Sequence, residues 1–261
     1  MISKMFRIAL TIVLASFALS SAAWATCSNS SLVATYGFLG GGTDADGKPS
    51  TSVVQFTVDQ AMGTLKGTQT LSSNGVITSE SITGTYKIAS NCTGTGTLTV
   101  GGGSPHPFSF VVTNDGNGIR EVDGKEGTTH AGIGVAQGSP TCTNAGVKGS
   151  FGLEATGVFV TGAPFTGPLA LIGELALSVN AAGDGVISGN VAGSENGTIL
   201  TFTEELVTGS YSVNKDCTGT FSITPEGKSA LNFSFVIVNG GSEMLAILTD
   251  ADTVVSGTLQ R

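Results

Sequence analysis

Gly84-Thr85-Tyr86-Lys87-Ile88-Ala89-Ser90-Asn91-Cys92-Thr93-Gly94-Thr95 has a counterpart in the second half of the chain. There it reads Gly209-Ser210-Tyr211-Ser212-Val213-Asn214-Lys215-Asp216-Cys217-Thr218-Gly219-Thr220. Each copy reads as a strand, a polar turn, a cysteine and the start of a second strand. The recurrence makes the mature chain two copies of one module.

Outward from this stretch, the same order of signals repeats. Cys27-Ser28-Asn29 opens one copy and Cys142-Thr143-Asn144 the other. A first strand alternates through Ala34, Tyr36 and Phe38, matched by Gly149, Phe151 and Leu153. Loops are expected at Gly40 to Pro49 and at Val160 to Pro168. Asn74-Gly75 and Asn196-Gly197 mark hairpins, because both residues accept the positive φ of a type I′ turn. Thr93, Thr95, Thr97 and Thr99 alternate with Gly94, Gly96, Leu98 and Val100. Such period-two patterning, with hydroxyls on one side, marks an antiparallel sheet with one wet face. Phe108-Ser109-Phe110-Val111-Val112 is echoed by Phe233-Ser234-Phe235-Val236-Ile237. The count comes to about eight short strands per copy.

Residues 1–25 read as a secretory signal peptide. Lys4 and Arg7 precede an apolar run, and Ala23-Trp24-Ala25 is a small-x-small cleavage site. Removal takes two of the 11 basic residues and none of the 19 acidic ones, leaving 9 − 19 = −10. An acidic chain without a basic run is a poor partner for nucleic acid or anionic lipid. No later segment has the roughly 20 apolar residues of a spanning helix. An outer-membrane barrel is disfavoured by the cysteines, the scarce aromatics and the terminal Leu259-Gln260-Arg261. A lipid on Cys27 is disfavoured by Trp24 and Thr26 before it. The expected location is secreted or periplasmic.

In an exported chain the four cysteines read as disulfides. One bridge per copy, Cys27–Cys92 and Cys142–Cys217, is the pairing a duplicated module would inherit. Both cysteines of each copy sit at strand ends, and the sole tryptophan leaves with the signal peptide. That argues against an immunoglobulin-type sandwich and for a meander in which the chain start meets the strand four-to-five turn. The expectation is therefore all-β: two tandem antiparallel up-and-down barrels, residues 26–138 and 139–261.

The pattern of cysteine-Ser/Thr-Asn, Gly-Thr-Tyr, Asx-Cys-Thr-Gly-Thr and Phe-x-Phe-Val resembles a group of secreted bacterial tandem-repeat proteins. So does the closing Thr253-Val254-Val255-Ser256-Gly257-Thr258. The resemblance implies lipocalin-like or avidin-like β-barrel modules and no particular activity. Tyr36 or Phe151 stands near where a lipocalin carries its Gly-x-Trp. The mature chain lacks the pocket tryptophans of avidins.

The copies differ most in strand seven, apolar in one (Met244 to Leu248) and charged in the other (Arg120 to Lys125). Alternation sends either Glu121 and Asp123, or Arg120 and Glu126, inward. The first choice gives a polar pocket; an unclosed, solvent-exposed edge is the structural alternative. Candidate ligand contacts are Tyr36, Tyr86, Phe108, Phe110, Glu121 and Asp123, with Phe151, Tyr211, Phe233 and Phe235 in copy two. Inward Gly84, Gly94 and Gly96 would leave space beside the rings. The bland alternative is that the aromatics simply fill the core.

His106, His130, Asp44 and Asp46 fall at the end opposite the disulfide and could hold a divalent ion. Their sequence spacing is not that of a metal motif, and copy two has Val254 where copy one has His130. Asp44-Ala45-Asp46-Gly47 resembles half a calcium loop without its distal glutamate. No nucleophile elbow, zinc-protease motif or phosphate loop is present. The reading is a non-enzymatic secreted binding module for a small, mostly apolar ligand, without a cofactor. The competing reading is a structural or adhesive envelope protein with solidly packed barrels.

Overall fold

The computed structural model describes residues 26–160, 167–200, 206–225 and 229–261. The expected signal peptide lies outside them. The first module is an eight-stranded meander closed on itself. Its strands are β1 (Thr35–Thr43), β2 (Pro49–Asp59), β3 (Thr64–Ser73) and β4 (Val76–Ile88), followed by β5 (Thr93–Val100), β6 (His106–Thr113), β7 (Gly118–Asp123) and β8 (Thr129–Ala136). β8 pairs back onto β1, Tyr36 opposite Ala136.

The second module comprises β9 (Gly149–Phe159), β10 (Gly167–Val179), β11 (Gly185–Glu195), β12 (Thr198–Leu200) and β13 (Leu206–Val213). β14 (Thr218–Thr224), β15 (Leu231–Val238), β16 (Glu243–Leu248) and β17 (Thr253–Gln260) complete it. β17 pairs with β9 and so closes a second eight-stranded barrel. The short β12 is a spur that pairs to β11 alone among the described residues. No α-helix occurs among the described residues.

The recurring stretch is the clasp at the base of each barrel. Cys92 and Cys217 both adopt left-handed backbone, φ 65° and 67°. The preceding Asx side chain brackets the turn: Asn91 Oδ1 accepts from the Thr93 N–H and hydroxyl, as Asp216 Oδ1 does from Thr218. The cysteines are joined as Cys27–Cys92 and Cys142–Cys217, Cα–Cα 5.0 and 4.8 Å, the pairing expected from the repeat. Asn29 Oδ1 accepts from Ile88 N–H, and Asn144 Oδ1 from Val213 N–H, each at 3.0 Å. This explains why Asn follows each opening cysteine by two. Short 3-10 turns, Asn29–Ser31 and Asn144–Val147, then cap the barrel floors with Leu32 and Val147. Two disulfides are consistent with an extracytoplasmic protein. No helix among the described residues is long and apolar enough to cross a membrane.

Two expectations need correcting. The first loop is shorter than Gly40 to Pro49, because Gly40 to Thr43 still pair with Ser52 to Pro49. The inward glycines also do not leave empty space. Gly94 and Gly96 sit beneath the rings of Phe110 and Phe108, where any Cβ would overlap them. The Asn74-Gly75 and Asn196-Gly197 turns do have positive φ at both residues, as a type I′ hairpin requires.

The barrels lie side by side and share a buried seam. Val53, Val236, Val238, Leu245 and Ile247 form it, with Leu39 and Val135 at its edge. Gln137 Nε2 donates across it to the Ile237 carbonyl at 3.2 Å. Near the base Gly240 N–H donates to Gln137 O, and near the mouth Asp252 N–H donates to Gly75 O. The seam explains the unbroken apolar run Met244 to Leu248 of β16. Met244, Ala246 and Leu248 fill barrel two, while Leu245 and Ile247 fill the joint.

Candidate functional site

Barrel one encloses a cavity of about 550 Å³ open at the end away from the disulfide. Its lower walls are apolar: Phe56, Val58, Leu65, Ile82, Tyr86, Leu98 and Phe110 over a floor that includes Leu32. The upper walls and mouth carry Ser50, Ser52, Gln69, Glu80, His106, Glu121, Asp123 and His130, with Asp44, Asp46 and Lys125 on the rim loops. The gradient follows from the strands themselves. Along β2 the inward positions run Val58, Phe56, Val54, Ser52, Ser50, from floor to mouth.

β7 resolves the alternation left open by the sequence. Ile119, Glu121 and Asp123 face the lumen, and Val122 is exposed on the outer wall. The strand is paired on both sides, to β6 and β8, so it is not an exposed edge. Burial, with the Asp123 charge adding to it, pushes the Glu121 carboxyl up to about 8. At neutral pH Glu121 is therefore mostly a carboxylic acid, able to donate a hydrogen bond. Asp123 Oδ1 lies 3.5 Å from His106 Nε2. Burial holds His130 below the usual imidazole range, against the pull of Asp123. Its Nε2 is buried without a hydrogen-bond partner, the one such side-chain atom among the described residues. A buried polar atom left unpaired costs about 1–3 kcal/mol, and a ligand group reaching it would recover that.

Barrel two shows what this module looks like when filled. The strand registers align Ser50, Ser52, Gln69, His106, Glu121, Asp123 and His130 with Leu169, Leu171, Val191, Leu231, Ala246, Leu248 and Val255. All seven replacements belong to, or pack against, one apolar core. The partner of His130 is thus Val255, not the Val254 suggested by counting along the sequence.

The candidate residues divide accordingly. Tyr86, Phe108, Phe110, Glu121 and Asp123 line the cavity. Tyr36 is fully buried in the floor, stacked on Phe56 at 5.3 Å. Its hydroxyl accepts from Val33 N–H and donates to the Gly116 carbonyl, and burial pushes its pKa up to about 12. Phe151, Tyr211, Phe233 and Phe235 sit in the barrel-two core, where Phe221 and Phe233 stack at 4.4 Å. As placed, these five are packing residues. Asp44, Asp46, His106 and His130 all reach the cavity, yet no three possible ligands gather closely enough to hold a metal among the described residues. Asp44 instead organises its loop. Its carboxylate accepts from Lys48 N–H, the Ser73 hydroxyl and Asp46 N–H, which holds it below the usual carboxylate range. Sequence reasoning missed Ser50, Ser52, Gln69 and Glu80. The signal was there in the replacement of Ser50 and Ser52 by Leu169 and Leu171, once β2 and β10 are aligned by register.

No protein-family model matches the chain, and no curated protein sequence matches it. Two solved structures are similar to it over most of their length. One is a Nostoc punctiforme protein of unknown function from the DUF3598 family, 11% identical, covering 88% of this chain and 96% of that one, TM-score 0.26. The other is a Nitrosomonas europaea protein provisionally named AttH, 7% identical, covering 88% and 93%, TM-score 0.29. At such scores the likeness bears on neither the site nor its use.

Proposed function

We propose that the protein is a secreted, non-enzymatic binding protein whose first barrel takes one small, mostly apolar molecule. The second barrel serves as its rigid support. The observation that carries this reading is the contrast between two copies of one fold. One has a cavity within the roughly 300–1,000 Å³ typical of ligand pockets, and its apolar depth ends in polar groups, of which His130 Nε2 is buried without a partner. The other has apolar side chains at the seven positions that match Ser50, Ser52, Gln69, His106, Glu121, Asp123 and His130. Solid packing was open to both copies, and a purely structural or adhesive role gives no reason for barrel one to forgo it.

A fluorescent apolar probe, titrated into the mature protein and checked by native mass spectrometry, tests it. One probe per chain is expected. Leu98→Trp, which fills the mid-cavity, should weaken binding at least about tenfold, the cost of losing roughly 1.4 kcal/mol of contact. Absence of any bound mass, or binding indifferent to Leu98→Trp, would sink the proposal.

A further inference from the structure

The cavity is acidic in a way that closing a barrel does not require. Five carboxyl groups line it, Asp44, Asp46, Glu80, Glu121 and Asp123, against the single ammonium of Lys125. Two of them stand next to aromatic rings. Across the β6–β7 ladder Glu121 pairs with Phe110, and Asp123 with Phe108. The two rings stack on each other at 5.7 Å, and both line the cavity. Carboxylates beside aromatic faces suit an ammonium, which gains from opposite charge and from the ring quadrupole together.

We propose that the ligand of barrel one carries a cationic amine on its apolar body, held by Glu121 and Asp123 beside Phe108 and Phe110. This rests on the binding role argued above and names the ligand's class. A carboxylate ligand would bring one more negative charge into a cavity that already holds several. A neutral alcohol would leave Asp123 with His106 alone. An ammonium supplies a counter-charge to both β7 carboxyls and takes the place of the proton that Glu121 holds in the empty barrel.

The proton balance gives a signature. Glu121 releases its proton as the ammonium enters, so binding near neutral pH liberates up to one proton per ligand. Affinity then rises with pH, by as much as about tenfold per unit while the free carboxyl remains protonated. It levels off above pH 8, where the empty barrel has already lost that proton. The other groups facing Glu121 are Asp123 on the same strand, His106 on β6, His130 on β8 and Glu80 on β4. Asp44, Asp46 and Lys125 line the rim of the same cavity. Protonation of His130, which burial defers to lower pH, repels the cation and works in the same direction, so the Glu121 contribution is isolated by substitution.

Displacement of the apolar probe by decylamine, decanol and decanoate at pH 7 and 8 decides the matter. Decylamine should bind about tenfold or more tighter than decanol, with decanoate weakest, as expected for close charge pairs. Its affinity should rise several-fold between the two pH values, with proton release seen by calorimetry in buffers of different ionisation enthalpy. Glu121→Gln should remove most of the preference for decylamine over decanol, and with it the pH slope. Should that variant not fold, Asp123→Asn and the wild-type pH slope carry the same test. Decanol equal to decylamine, or decanoate tightest, overturns the amine assignment and leaves the binding role standing. Failure of all three, and of the probe itself, defeats the binding role instead.

Discussion

Replacing Glu121 by glutamine is expected to stabilise the protein, and to do so increasingly as pH rises from 4.5 to 8. The unfolded carboxyl loses its proton near 4.5 and the folded one near 8. Between those values the folded protein keeps a proton that the unfolded chain has released. The favourable contribution of the protonated group is therefore complete below pH 4.5 and gone above pH 8. Across that window each pH unit removes at most about 1.4 kcal/mol. Partial access of solvent through the mouth reduces the whole effect to at most about 4 kcal/mol. Glutamine fills the same space and does not titrate. Urea unfolding of both proteins at pH 5 and pH 8 provides the comparison, and groups common to both cancel in the difference. Parallel profiles for the two would mean that Glu121 is not buried in the lumen.

Loss of a disulfide should be of similar size. Cys27–Cys92 closes a loop with a sequence separation of 65, and Cys142–Cys217 one of 75. Constraining loops of that length in the unfolded chain is worth about 4 kcal/mol each in the chain-entropy picture. The bridges also sit in the basal turns, where Cys217 is buried in the barrel-two core. Cys142→Ser with Cys217→Ser should therefore lower the unfolding free energy by about 4 kcal/mol, measured by denaturant titration. A change below about 1 kcal/mol would show that the clasp is held by its hydrogen bonds alone.

How much of this was legible beforehand depends on what each residue's role refers to. The strands, the Asn74-Gly75 and Asn196-Gly197 turns and the disulfides follow from local chemistry and from the duplication. They could be read without knowing any long-range contact. The direction of β7 could not, because alternation fixes a pair of faces but not which one is inside. Only the pairing of Glu121 with Phe110 and Gly132 settles that. Tyr36 and Phe108 look alike as inward aromatics, but the first packs into the floor and the second lines the cavity, a difference of height in the barrel. The seam was the least visible feature. Leu245 and Ile247 alternate with core residues, so β16 reads as one hydrophobic run, and its second face finds its reason only when barrel one packs there.

Xenon is a direct reporter of dry, unfilled apolar space, and a xenon-pressurised crystal of the ligand-free protein puts the contrast between the two barrels to the test. Electron density for xenon is expected in barrel one, among Phe56, Ile82, Leu98 and Phe110, and not among Phe151, Phe221, Phe233 and Phe235 of barrel two. An empty barrel one, or xenon held equally in both, would contradict the account.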